Sequence, residues 1–279
     1  MKSTTTLPAA LADHYAGGTN HPADVLKIVR KDGAVYAFTS AVDDTPPIGG
    51  QVYSAANGLD ISSIEIAAGL AVDNLELTTL DDGSTFSRVD VLSGRWRNAA
   101  FMIGRYNWAA PADGIEVRLV GTIGNVQLMR GHIVAELRGL QQALQQPIGS
   151  VTSKTCRARL GDSMCTKSLT AFTFTGSVTS VASNQAFTDS TKAQAADYFA
   201  EGILTWTSGP NSGLAVKVKG FTGGAFTLSL PMISAIANGH TFSVVAGCQK
   251  RLADCSGKFN NVLNFQGEPH LPGIDALTK

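Results

Sequence analysis

The chain has 279 residues, 44% of them hydrophobic and 16% charged, and its 22 basic and 22 acidic side chains give a formal net charge of zero. No global field draws it to nucleic acid or to an anionic membrane, which argues against a sequence-specific DNA reader. No apolar run approaches the roughly 20 residues that span a bilayer. The apolar stretch at the start is broken by Asp13 and His14 before a signal-peptide core forms, so the expectation is a soluble chain made and folded in the cytoplasm.

The length predicts two domains, because single cores usually stop growing short of it. Twenty-nine glycines, with Val, Thr, Phe and Ile in short runs broken by Gly, Asn, Asp and Pro, point to a mainly β fold, a β-rich α+β class. In chain order, Leu7, Leu11 and Tyr15 recur every four residues, which predicts a short helix stopped by Gly17 and Gly18. "DVLKIVRKDGAVYAFTS" has Lys31, Asp32 and Gly33 between two runs of β-formers and reads as a hairpin. "LAVDNLELTTL" alternates as a half-buried strand does, and "GIEVRLVGTIGNV" with "QLMRGHIVAELRGL" forms a further pair. "LRGLQQALQQPIG" is a short helix or extended linker ended by Pro147 and Gly149. The boundary is therefore placed near Pro147 to Val151, dividing a β-rich domain, 1–150, from a second β domain, 151–279.

In the second half, "FTFTGSVTSVAS" alternates, and "DSTKAQAADYFAEG" is expected to make one or two helical turns. "ILTWTSGPNSGLAVKVKGF" reads as two strands around a polar turn, Ser208 to Gly213, that no core would tolerate. Enzymatic signatures are missing. The five histidines, His14, His21, His132, His240 and His270, show no metal-ligand spacing, and there is no GxSxG elbow, P-loop or GxGxxG. Asp43-Asp44 and Asp81-Asp82 are each followed closely by Pro or Gly and read as solvated turns rather than catalytic pairs.

All four cysteines fall in the second half. Cys156 and Cys165 enclose eight residues, 82 residues follow, and Cys248 and Cys255 enclose six. Antiparallel topology can bring two such pairs together. Disulfides are disfavoured in a reducing cytoplasm. Structural zinc is open, although its knuckles are usually tighter than either pair. An iron-sulfur cluster takes four cysteines as its ordinary ligation and accepts wider loops. Four separate buried thiols are the plain alternative. Lys154, Arg157, Arg159 and Lys167 flank the first pair, and Lys250, Arg251 and Lys258 the second. With backbone N–H groups, these cations would offset a negative thiolate site.

"CRARLGDSMC", "FAEGILTWTSGPNSG" and "GCQKRLADCSGKFNNVLNFQGEPHLPG" resemble the C-terminal domain of the tail-tip hub proteins of long-tailed phages and gene transfer agents. "RKDGAVYAFTS", "GGQVYSAANGLDISSIEIAAGLAVDNLEL", "VLSGRWRNA" and "YNW" are similar to the same family's first domain, so the resemblance runs over nearly the whole chain. Lambda-type members share the eight-and-six cysteine arrangement with a shorter segment between the pairs. The resemblance implies a non-enzymatic, homotrimeric baseplate hub at the virion tail tip. There it would join the ring of distal tail protein to the central fibre protein, with the tape measure protein as a further neighbour. It implies tube-like N-terminal β domains and a [4Fe-4S] cluster, or zinc in its place, held by Cys156, Cys165, Cys248 and Cys255. No catalytic residue is implied. Electron transfer by a redox-active cluster is the competing reading, and no Cys-His peptidase arrangement surrounds Cys156 or Cys248.

Overall fold

Alternating β-branched, aromatic and polar residues build one largely antiparallel sheet in each of two units, Met1–Pro147 and Ile148–Lys279. The computed structural model describes residues 7–17, 19–55, 60–61, 74–80, 87–130, 132–139, 141–144 and 149–271.

In the first unit α1 (Ala9–Ala16) ends where the Gly17 N–H turns back to the His14 carbonyl at 3.1 Å; Gly18 lies outside the described residues. Strands β1 (Pro22–Val29) and β2 (Val35–Thr39) pair antiparallel around Gly33, whose φ of 88° a side chain would resist. This is the expected hairpin. β3 (Ser54–Ala55), β4 (Asp60–Ile61) and β5 (Asn74–Leu80) follow, then α2 (Arg88–Leu92) and β6 (Ala100–Asn107). β7 (Ile115–Leu128) and β8 (His132–Gly139) form the second expected pair, and α3 (Gln141–Leu144) comes after them. β7 runs to Leu128, two residues past the expected end of its segment at Val126, and β8 starts at His132. Only the Asn74–Leu80 part of "LAVDNLELTTL" is described, and Asp81-Asp82 and Pro147 lie outside the described residues.

The sheet order is β3-β2-β1-β6-β7-β8-β5-β4. One residue in two along β8 is buried, and Ile133, Ala135 and Leu137 join Leu26, Ile28, Phe101, Ile103 and Trp96 in the core. Arg30 is only 6% exposed there, so its charge needs partners: it bonds Asp32, reaches Asp90 at 3.0 Å and lies 5.3 Å over the Trp96 ring.

The second unit contains β9 (Thr173–Ser177), β10 (Ser180–Ser183), β11 (Ala186–Thr188), β12 (Ile203–Trp206), β13 (Ala215–Thr222), β14 (Ala225–Leu228) and β15 (Thr241–Val245), then α4 (Leu252–Gly257). Their order is β10-β11-β14-β13-β12-β15-β9. The inward positions are aromatic: Phe226 stands 5.3 Å from Phe187, 5.5 Å from Phe199, 4.7 Å from Phe221 and 5.4 Å from Phe242, centre to centre. Each buried phenyl contributes about 1.5–3 kcal/mol of transfer free energy, so this cluster dominates the unit's cohesion.

Two expectations are corrected. Residues 189–202 form turns rather than a helix. The Asp197 and Glu201 N–H groups donate to Phe221 and Val218 of β13 at 2.7 and 2.8 Å instead of to carbonyls of their own segment, and both residues adopt positive φ, 58° and 70°. That arrangement seats Phe199 fully in the core, a packing gain that overrides alanine-rich helix propensity. The Ser208–Gly213 turn is not wholly superficial either. Asn211 is completely buried, and its Nδ2 donates to the Ser234 carbonyl at 3.0 Å.

Candidate metal centre

Beyond the sheet of the second unit, the loop 153–169 and the segment 246–268, which carries α4, are bound to one another. β15 delivers the chain to Gly247, where a Cβ would stand 1.6 Å from the Ala200 carbonyl oxygen. Only glycine permits that approach, and Cys248 follows it directly. Cys255 sits inside α4, in the turn that packs Phe259 at 2% exposure. Cys156 and Cys165 bracket a loop tightened by Asp162, whose carboxylate accepts N–H groups of Arg159, Met164 and Cys165 at 2.7, 3.0 and 2.8 Å.

All four expected cysteines line a single pocket with Ala158, Leu160 and Phe259. Each is free of disulfides; Cys165 and Cys255 are buried and Cys156 and Cys248 half-buried. No histidine lines it among the described residues. His14 instead accepts from the His21 N–H at 3.1 Å, and His240 Nδ1 from Ala237 at 3.2 Å.

The links run between the two pairs. The Cys156 N–H donates to the Lys250 carbonyl at 2.8 Å, and Lys250, at φ 63°, turns its own N–H to Cys248. The Gln266 N–H donates to Cys156 Sγ at 3.4 Å. Asn261 performs the same joining for the other two: its Nδ2 donates to the Cys165 carbonyl at 2.7 Å and lies 3.5 Å from Cys165 Sγ. Its carbonyl accepts the Cys255 thiol at 3.2 Å. Neither Asn261 nor Gln266 was legible as a site residue from spacing; only their place in the run after Cys255 could have drawn attention to them.

Electrostatically, Cys248 and Cys255 resist ionisation. Burial pushes Cys248 up, with the charges of Asp254 and Cys156 adding to it and the Lys250 N–H opposing. Burial likewise raises Cys255, reinforced by Cys156, Cys165 and Cys248. Thiols raised in this way, Cys248 and Cys255, give up their protons readily only to a cation. Of the cations expected to offset them, Lys250 and Lys258 act on Cys248. Three of the others are engaged elsewhere: Arg157 with Glu268 at 2.8 Å, Arg251 with Asp254 at 3.4 Å, and Lys167 over Phe172 at 5.5 Å. Lys250 Nζ itself donates to the Ala158 carbonyl, and Lys258 Nζ to those of Tyr198 and Gly247.

The donor set fits a thiolate-bound inorganic group, with four sulfurs and amide donors directed at Cys156, Cys165 and Cys248. Among the described residues no group of three or more His, Cys, Asp or Glu is arranged to hold one metal ion. No helix is long and apolar enough to cross a membrane among the described residues.

Residues 8–168 match a family model described as baseplate hub protein, N-terminal attachment domain, and residues 197–275 match one described as phage conserved hypothetical protein BR0599. The structure is similar to a chain from the virion of a native gene transfer agent particle. The two are 31% identical and share a TM-score of 0.87 over 98% of this chain and 95% of that one. No curated protein matches the sequence.

Proposed function

This chain belongs to the baseplate hub protein family, structural components of the virion tail of phages and gene transfer agents, and from that premise we propose its place in the assembly. It acts as a homotrimeric hub at the tail tip, seated on the distal tail protein ring and passing on to the central fibre protein, with the tape measure protein in reach of its lumen. The domain 1–150 carries the tube-like β portion, and 151–279 carries a [4Fe-4S] cluster on Cys156, Cys165, Cys248 and Cys255. The role is mechanical rather than catalytic.

The observation that carries the assembly role is the near full-length similarity to a chain of a gene transfer agent virion. For the cluster it is the shared pocket of four free cysteines. When bound, the cluster supplies covalent iron–sulfur crosslinks between loops that otherwise rest on a few hydrogen bonds. Its bridge closes the 82-residue segment between Cys165 and Cys248, where loop-closure entropy makes a crosslink effective. Cys248 and Cys255 provide ligands from one side and Cys156 and Cys165 from the other, and no oxidising compartment is needed.

Fusing a small tag to the chain and imaging assembled particles by electron microscopy tests the placement. Extra density at the distal end of the tail, repeated three times around its axis, is expected. Density spread along the tube or confined to the capsid would overturn it.

A further inference from the structure

We infer that Asn261 is the positioning residue of the four-cysteine site, holding Cys165 and Cys255 in register across the two loops. This rests on the reading of that site as an inorganic centre. It adds a residue that carries no thiol and ligates nothing.

The geometry is specific to one side chain. Asn261 Nδ2 reaches both the carbonyl and the sulfur of Cys165, at 2.7 and 3.5 Å, so that single amide fixes the residue's backbone and points a donor at its Sγ. From the other side, the Asn261 N–H donates to the Cys255 carbonyl at 2.9 Å and its carbonyl accepts the Cys255 thiol at 3.2 Å. The neighbouring Asn260 has a φ of 46°, the left-handed turn that brings the chain back over α4 to make these contacts. The side-chain amide is itself held, because Asn264 Nδ2 donates to Asn261 Oδ1 at 2.9 Å. That bond leaves the oxygen occupied and the nitrogen free to face Cys165, which sets the amide's orientation. Cys156 and Cys248 are joined through the backbone of Lys250 instead, so loss of the Asn261 side chain leaves that pairing in place.

A side-chain amide that fixes a ligand's backbone and covers its sulfur keeps that ligand in place, and outer-shell partners of this kind change metal affinity by about 10–100-fold when removed. Asn261→Asp keeps the shape and loses the donor. Asn261→Ala loses both.

The test uses the full-length chain in two states. In the metal-free protein, alkylation of each cysteine by iodoacetamide is followed by mass spectrometry. Both variants release the Cys165 backbone and uncover its sulfur, so both are expected to raise the alkylation rate at Cys165, with a smaller rise at Cys255 and none at Cys156 or Cys248. In the anaerobically loaded protein, both are expected to lose iron to a chelator about 10–100-fold faster than the parent. Unchanged alkylation, or an equal rise at all four cysteines, would overturn the positioning role. If the parent holds no iron yet the selective rise at Cys165 appears, the positioning role stands and the cluster reading beneath it fails.

Discussion

Arg157 holds both carboxylate oxygens of Glu268 with a single guanidinium nitrogen, at 2.8 Å each, and Glu268 also accepts the Ser153 N–H at 2.9 Å. The residue after the first cysteine is thereby tied to the segment that follows the second pair, 111 positions away. The Arg157 N–H extends the tie to the Gln266 carbonyl at 2.9 Å.

This pair makes the site loops acid-sensitive. The Arg157 hydrogen bond and the Ser153 N–H hold the Glu268 carboxyl below the usual carboxylate range. Between that lowered value and the ordinary one, the unfolded chain binds more protons, so the contribution to stability is complete above the ordinary range and disappears as pH falls through the lowered value. Protection factors from hydrogen exchange are expected to fall in 153–157 and 266–268 on acidification, before those of β12 and β15. Glu268→Gln removes the acid dependence; an acid profile identical to the parent's would contradict the assignment.

Gly247 and Gly257 make opposite predictions for the same substitution. A Cβ at 247 meets the Ala200 carbonyl at 1.6 Å, whereas one at 257 meets nothing within 4 Å. Gly247→Ala is expected to destabilise the second unit by well over the ~1 kcal/mol typical of single changes, because backbone must separate from backbone. Gly257→Ala is expected to be neutral or to stabilise by about 0.5–1 kcal/mol through helix propensity. Urea denaturation of the two variants decides it.

Phe226 sits at the centre of the aromatic cluster, fully buried among four other phenyl groups. Phe226→Ala is expected to cost about 3–5 kcal/mol, lowering the denaturation midpoint of the second unit. A loss below about 1 kcal/mol would mean that the cluster repacks around the gap.

In the first unit the buried Arg30 guanidinium answers Asp32 and Asp90, which remain 34% and 24% exposed. Arg30→Ala leaves the two carboxylates to water and to Arg95, which lies 3.1 Å from Asp90 and 3.7 Å from Asp32. The expected loss is therefore about 2 kcal/mol, below the ~3–5 kcal/mol of a fully buried pair. The Asp90→Asn, Arg30→Ala double variant should lose less than the sum of the two singles, measured by thermal or urea denaturation.

What the sequence made legible follows from what is local. Period-two alternation with a Gly turn located the β1–β2 hairpin, and the same pattern located the β7–β8 and β12–β13 pairs, because face alternation is written residue by residue. The cysteine spacing drew attention to four residues that line one pocket. Helix was expected at 189–202 because alanine propensity is also local. The donors that go to Phe221 and Val218 of β13 are not, and they prevailed. Asn211 looked superficial because polarity was read without its partner, Ser234. Asn261 was invisible for the same reason: its partner at Cys165 is 96 positions away, and a lone asparagine carries no spacing signal.

Lys250 and Arg251 illustrate a finer limit. Their charge beside Cys248 suggested paired counter-ions, but the two side chains part company. Lys250 turns in to the Ala158 carbonyl, while Arg251 remains 62% exposed beside Asp254. Charge could be counted from the sequence, and its direction could not.

Iron and acid-labile sulfide per chain, measured on full-length protein purified without oxygen, test the central claim most directly. About four of each per chain, with a broad visible absorption lost in Cys248→Ser and Cys156→Ser, is the expected result. Colourless protein with neither iron nor sulfide, or with one zinc per chain, would contradict it.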